Sequence, residues 1–284
     1  DGENKQNTNR HSYNASNGVN AFAAKFTMPL DLSKLKESLD NIKSRINNAA
    51  QKVGRNPDEI VVVAVTKTVG AETLKALADL SWPDIGENRV VDALDKARSI
   101  PNNRFIWHMI GHLQSNKAKK AVGLFDYIHS LDSIHLAGEL QAEALKTNKT
   151  VRVLIQVNVS NEASKAGINP EELTDFYKKV KEVAPSSGKA GLIISGLMTM
   201  APITDHPETV RPYFAGVQPP AEPRGHARSV FRKLRELRDK LKNDFIGNNN
   251  PEELKYLSMG MSQDFEVAVE EGANMLRIGT AIFS

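Results

Sequence analysis

Apolar positions along the chain recur in two alternating rhythms from Asp31 onward. Leu32, Leu35, Leu39, Ile42 and Ile46 are spaced 3, 4, 3 and 4 residues apart, the stripe of an amphipathic helix that docks on something larger. Gly54, just past Val53, is its stop signal. Short β-rich runs follow at Val61–Lys67, Asp84–Asn88, Arg104–Gly111, Phe125–Leu131, Val151–Ser160, Gly191–Met200, Tyr256–Gly260 and Met275–Phe283. Helix-like segments separate them, among them Ala71–Leu80, Ser133–Lys146 and Pro170–Val183. Strand followed by helix, repeated to the end, predicts a parallel sheet with helices outside it. Eight such units from residue 31 to residue 284 match the usual size of a (β/α)8 barrel, about 250 residues. A doubly wound open sheet usually carries a Gly-rich first turn, but Val61–Lys67 is followed only by Thr68-Val69-Gly70. The expected class is therefore α/β, a single (β/α)8 TIM barrel over 31–284.

Two stretches break the rhythm. Residues 1–30 are Asn-rich, with almost nothing apolar in DGENKQNTNRHSYNASNGVN, a composition that cannot support a core. They are expected to be a disordered tail or a processed segment, since the chain begins at Asp1 and not Met. Asn14-Ala15-Ser16 matches a glycosylation sequon, a motif common by chance. The second is Gly216–Arg228 (GVQPPAEPRGHAR), where Pro and Gly interrupt what should be one helix. The stripe Phe231, Leu234, Leu237, Leu241 resumes after it, so a surface loop inserted over 215–230 is expected.

Composition removes several kinds of chemistry. With no Cys in 284 residues there is no disulfide scaffold, thiol nucleophile, iron–sulfur cluster or thiolate zinc site. The formal charge of +3 does not by itself predict nucleic-acid binding. No run approaches 18 apolar residues, so no transmembrane helix is expected.

In a barrel of this kind chemistry sits at the C-terminal ends of the strands. A period of two puts Val61, Val63, Val65 and Lys67 on one face, and if that face is the interior, Lys67 rises into the mouth. An amine partly desolvated there can become a Schiff-base nucleophile, although a lysine that ends a strand and reaches water is the plainer reading of this run alone. The last two units add weight. Leu257-Ser258-Met259-Gly260-Met261-Ser262 and Arg277-Ile278-Gly279-Thr280 end strands seven and eight, whose loops form the usual phosphate site of the fold. Gly260 and Gly279 let backbone N–H groups approach an anion, Ser258 and Thr280 offer hydroxyls, and Ser262 is placed to cap the helix that follows. Arg277 shares a face with Gly279, and strand eight closes against strand one. Lys67, Arg277 and these loops then converge as a site for pyridoxal 5′-phosphate (PLP), with the aldehyde on Lys67 and the ring nitrogen on Arg277.

The motifs VAVTKT, GENRV, FIWHMIGHLQSNK, SLDS, QVNVSNEASKAGI, GLMTMAP and LSMGMSQDFEVAVEEGANMLRIGTAIF, in this order, resemble the YggS/PROSC family of PLP-binding or PLP-homeostasis proteins. The resemblance covers Asp31 to Phe283 apart from the insertion. It implies one (β/α)8 barrel like the N-terminal domain of alanine racemase, with Lys67 as the PLP lysine. Asn88, Ser258, Arg277, Gly279 and Thr280 would line the pocket, with His112, Met198 and Ser262 nearby. It further implies a protein that buffers or delivers PLP for vitamin B6 and amino-acid homeostasis, with PLP-requiring apo-enzymes as recipients, acting as a monomer or weak homodimer without nucleic acid or membrane. Alanine racemase takes its second base from an additional β-domain, for which this chain has no residues left after strand eight. An arginine on the ring nitrogen also weakens the electron sink needed for amino-acid chemistry. A carrier is therefore expected; the alternatives are a racemase-like PLP enzyme and a lysine-dependent aldolase. The expected location is cytoplasmic, or organellar if the tail is an import segment.

Two further motifs have plain structural readings. His108-Met109-Ile110-Gly111-His112 is H-x-x-x-H, but it lacks the zincin glutamate and lies in a strand-like run, so no metal site is expected. The basic stretch Arg228–Lys242 carries a leucine stripe that suits a helix covering a barrel.

Overall fold

A computed structural model describes residues 31–100, 104–160, 166–184, 190–201, 227–246 and 250–284. Eight parallel strands close into a barrel in chain order: β1 (Val61–Val65), β2 (Asp84–Glu87), β3 (Ile106–Met109), β4 (Tyr127–Leu131), β5 (Thr150–Gln156), β6 (Gly191–Met198), β7 (Tyr256–Ser258) and β8 (Met275–Ile278). The first and last strands pair, Val61 with Met275 and Val63 with Arg277, which places the β8 end beside the β1 end as the sequence requires. The helices α1 (Leu32–Lys52), α2 (Ala71–Asp79), α3 (Val90–Ala97), α4 (Ala118–Leu124), α5 (Ile134–Lys146), α6 (Leu173–Val183), α7 (Ala227–Phe245), α8 (Phe265–Glu270) and α9 (Thr280–Phe283) are the remaining α elements of the described residues.

The α1 stripe is buried from Leu35 through Leu39, Ile42 and Ile46, and it extends to Ala49 and Ala50. Leu32, at the frayed first turn, is 58% exposed. Gly54 ends the helix with φ of +68°, and Arg55 N–H returns to the Ala50 carbonyl at 2.9 Å, a glycine stop that satisfies a terminal carbonyl. The helix packs against α8 and α9, where Arg45 grips Glu266 through two 3.0 Å hydrogen bonds.

Seven of the eight strands end earlier than their hydrophobic runs. The run Met275–Phe283 divides, because the strand stops at Ile278 and Thr280–Phe283 is helical. Ile282 is buried against the outer core, so its apolar character serves helix packing and not the ladder. Helix α7 begins at Ala227, inside the stretch expected to be inserted loop; 227–230 are helical, and 215–226 lie outside the described residues, as does the 1–30 segment. The basic face of α7 holds it on α8. Arg228 bonds Glu270 and Glu271, Arg232 bonds Glu271, and Arg235 donates to the Glu271 carbonyl.

The core has two parts. The larger lies between sheet and helices, and a smaller one inside the barrel contains Val63, Leu154, Met198, Tyr256 and Met275. This inner space is unusually polar for a fold whose centre is normally packed with branched aliphatic residues. His108, His129, Ser258 and Arg277 are buried there too.

Candidate functional site

The β1 end is anchored by Thr66. Its N–H donates to the Gly86 carbonyl at 2.9 Å and its hydroxyl to Glu87 Oε1 at 2.5 Å. Lys96 Nζ reaches both the Thr66 carbonyl and Glu87 Oε1 at 2.7 Å. All three residues are buried. The next residue, Lys67, leaves this clamp in a turn and is exposed. The valine parity holds as far as Val63 in the inner cluster, but the strand stops at Val65. Lys67 thus stands at the mouth as an accessible amine, not the partly desolvated one expected, and its side chain has no polar partner among the described residues.

Val65 pairs with Gly86, so Lys67 and Asn88 lie two residues past a matched pair on adjacent strands. Asn88 is half-buried, and its backbone is covered by Gly111. A Cβ at 111 would overlap the Asn88 carbonyl oxygen and lie 2.8 Å from its Cα. His112 is on the rim, with a side chain 61% exposed and Nδ1 3.3 Å from Asp132. His108 is fully enclosed, so the two histidines of H-x-x-x-H face different environments.

Arg277 rises from β8 into the upper interior with only 5% exposure. Nη1 donates to Ser258 Oγ at 2.6 Å and Nη2 to the Thr199 carbonyl at 2.9 Å. No carboxylate is hydrogen-bonded to it, and the other N–H groups of the guanidinium are without partners among the described residues. Burial lowers its pKa to about 10, against the pull of Asp264. The guanidinium therefore remains charged at neutral pH, a buried cation with donors to spare. Asp264 is itself pushed up by burial, opposed by the Met261 N–H and by Arg277.

The surrounding loops pack tightly. Gly260 has φ of +95°, and a Cβ there would come within 2.6 Å of Ala268 Cβ. Gly279 lies against Val65, where a Cβ would meet Val65 Cβ at 3.2 Å, so the β8 backbone comes close to the chain that leads to Lys67. Ser262 Oγ accepts from Ala281 N–H at 3.2 Å. It thus caps α9 and not the helix that follows it in sequence; α8 begins at Phe265, and its N-cap residue Asp264 makes no side-chain capping bond. The reason is proximity across the β7–β8 seam, which sequence order does not display. Thr280 is exposed at the start of α9. Met198 is buried and pairs in register with Ser258, forming part of the floor.

Arg277, Ser258, Met198, Gly279 and Ser262 thus gather around the β7–β8 ends, with Lys67 and Asn88 on the adjoining strand ends. Three residues that sequence reasoning did not assign to the site, His129, His108 and Asp84, continue beneath it. His129 Nδ1 lies 2.9 Å from Ser258 Oγ, His129 Nε2 is 2.9 Å from His108 Nδ1, and His108 Nε2 is 2.9 Å from Asp84 Oδ1. The available signal was strand parity: Tyr127 and His129 alternate with apolar Ile128 in β4, and the inward positions are the polar ones.

Residues 38–284 match the family model for the alanine racemase N-terminal domain. A protein of Aquifex aeolicus named pyridoxal phosphate homeostasis protein is 38% identical over 247 residues, covering 87% of this chain and 96% of its own. PipY of Synechococcus elongatus PCC7942 is 28% identical. Its structure without PLP has a TM-score of 0.68 and matches 86% of this chain and 100% of that chain. With PLP bound the values are 0.64, 84% and 100%. Alanine racemase of Clostridium difficile 630, 14% identical, is alike in fold, with a TM-score of 0.64 over 91% of this chain and 59% of that one.

Proposed function

Because the chain belongs to the pyridoxal phosphate homeostasis proteins of the alanine racemase N-terminal-domain family, we propose that it binds PLP on Lys67 and holds it for delivery to PLP-requiring apo-enzymes. Arg277 is the observation that carries this reading. It is a buried guanidinium that, among the described residues, is hydrogen-bonded to no carboxylate and has N–H groups left over. Desolvating such a group is costly unless an acceptor meets it, and an unprotonated pyridine nitrogen is such an acceptor. The other donors suit the rest of the molecule. Gly279 permits close backbone approach, while Ser262 and Thr280 bring hydroxyls to the β7–β8 ends where this fold receives phosphate.

When bound, PLP would supply an aldehyde, and Lys67 is the amine that would hold it. Lys67 is accessible and has no polar partner among the described residues, which favours exchange of what it holds. Arg277 donates and has no proton to give up near neutral pH. It therefore favours an unprotonated ring nitrogen and a weak electron sink, the opposite of what amino-acid turnover demands. Holding without turnover is the reading these two residues support.

The test is the visible spectrum of purified protein loaded with PLP, followed by borohydride reduction and peptide mass mapping. A pyridoxyl adduct on Lys67, absent from Lys67→Ala, is the expected result. A Lys67→Ala protein with the same affinity and spectrum overturns the assignment. Isotope exchange at the α-carbon of a free amino acid, abolished by Lys67→Ala, would replace the carrier with a racemase-like enzyme.

A further inference from the structure

Asp84, His108, His129, Ser258 and Arg277 form one run of hydrogen bonds up the barrel interior, and a donor at its upper end with an acceptor at its lower end fits one direction through it. A guanidinium only donates, so Arg277 Nη1 gives its hydrogen bond to Ser258 Oγ at 2.6 Å. The Ser258 proton is then directed at His129 Nδ1, 2.9 Å away. This leaves the His129 proton on Nε2, facing His108 Nδ1 at 2.9 Å. The His108 proton is likewise on Nε2, facing Asp84 Oδ1 at 2.9 Å. Asp84, at the start of β2 with its side chain 15% exposed, ends the run as an acceptor. Each ring is then neutral, with its proton on Nε2 and its lone pair on Nδ1. Burial, His108 and Arg277 all push His129 well below the ordinary histidine value, in keeping with a ring that accepts at Nδ1. His108 is further held by a parallel stack on Tyr127, centroids 4.6 Å apart.

Apolar side chains could fill this space, as Val63, Leu154 and Met275 already do beside it. Two buried imidazoles are costlier than aliphatic residues unless fully satisfied. Within the barrel they satisfy each other, and the upper end of the run serves Ser258 and Arg277. We propose that His129, supported by His108 and Asp84, is a positioning residue for the PLP site. It takes the Ser258 proton, keeps the Ser258 lone pairs turned to Arg277, and so holds the guanidinium in one orientation with its remaining N–H groups available to the ligand ring. This role rests on the reading of Arg277 given above.

Three variants of the full chain test it: His129→Asn, which keeps an acceptor near Nδ1; His129→Leu, which keeps bulk without one; and Ser258→Ala, which cuts the run and leaves both rings. Two quantities are read, the PLP dissociation constant and the absorbance band of bound PLP. His129→Leu and Ser258→Ala are expected to weaken binding about tenfold and shift the band, the effect of one lost hydrogen-bond partner in a buried site. His129→Asn is expected to stay within about threefold with the wild-type band. Imidazole nitrogen NMR on the ligand-free protein is expected to place both protons on Nε2. The role falls if Asn and Leu weaken binding alike, if neither changes it, or if His129 carries its proton on Nδ1. A wild type that binds no PLP overturns the reading of the site and this role with it. Binding that persists unchanged in all three variants overturns this role alone.

Discussion

Replacing Lys96 by Met would leave Glu87 as a buried carboxylate with one remaining hydrogen-bond donor, Thr66 Oγ1. The pair is enclosed, with side chains 6% and 0% exposed and 2.7 Å between Nζ and Oε1. The second carboxylate oxygen, Oε2, has no hydrogen-bond partner among the described residues. Removing one member of such a pair costs about 3–5 kcal/mol, because the charge left behind is uncompensated. The Thr66 carbonyl loses its ammonium donor in the same step. At about 2–4 °C per kcal/mol for a domain of this size, the melting temperature of Lys96→Met falls by about 6–20 °C. The urea midpoint falls with it at an unchanged slope. The double variant Lys96→Met/Glu87→Leu removes both charges and is expected to recover most of the loss, since apolar replacement of a buried pair is often close to neutral. Urea unfolding followed by circular dichroism on the four proteins of the cycle measures each value. A Lys96→Met protein within about 1 kcal/mol of wild type, or a double variant no better than the single, would refute the reasoning. The clamp also sets the turn that presents Lys67, so borohydride trapping should be slower in Lys96→Met and in the double variant than in wild type.

Four other outcomes follow. Gly111→Ala forces a methyl group into the Asn88 backbone and should cost about 1–3 kcal/mol in urea unfolding. Gly123→Ala, on α4 where a Cβ meets nothing within 4 Å, should instead gain about 0.5–1 kcal/mol. Glu271 is pushed up by burial, but Arg232 and Arg228 outweigh this and hold it below its ordinary value of 4.5. Its stabilising contribution is therefore present above pH 4.5 and lost as the pH falls through the lower folded value. Glu271→Gln should be less stable than wild type at pH 7, with the deficit closing in acid, and a pH-independent deficit would sink the argument. PLP at 100 times its dissociation constant should stabilise the protein by about 2.7 kcal/mol, or about 5–11 °C by scanning fluorimetry, with Lys67→Ala losing at least half of that gain.

The barrel was legible because its signal is repetitive. Eight β-rich runs divided by helical stripes have few architectures open to them, and every strand falls within its run except β5, which starts one residue early at Thr150. Strand ends were not legible. Hydrophobicity continues past the ladder wherever the next turn or helix also packs, as at Ile282, and β-propensity does not separate the two burials. Lys67 shows the consequence. Extending the period of two by one step put its amine in the mouth, partly desolvated, whereas Thr66, tied to Gly86 and Glu87, turns the chain outward first.

What sequence order could carry was local: the strand parity that placed Val63 and Arg277 inside, the glycines at the β7 and β8 ends, and the lysine after β1. What depended on closure was every contact between residues distant in the chain. Ser262 caps α9 across the seam, Gly111 seats on Asn88, and Ser258 meets a histidine 129 positions away. A lone histidine in a strand has no visible partner in one dimension. Parallel strands bring His108, His129 and Ser258 to one level inside the barrel, where each polar atom must find its mate within about 3 Å or remain desolvated. That requirement, imposed only when the sheet closes on itself, turns four scattered residues and an arginine into one directed chain.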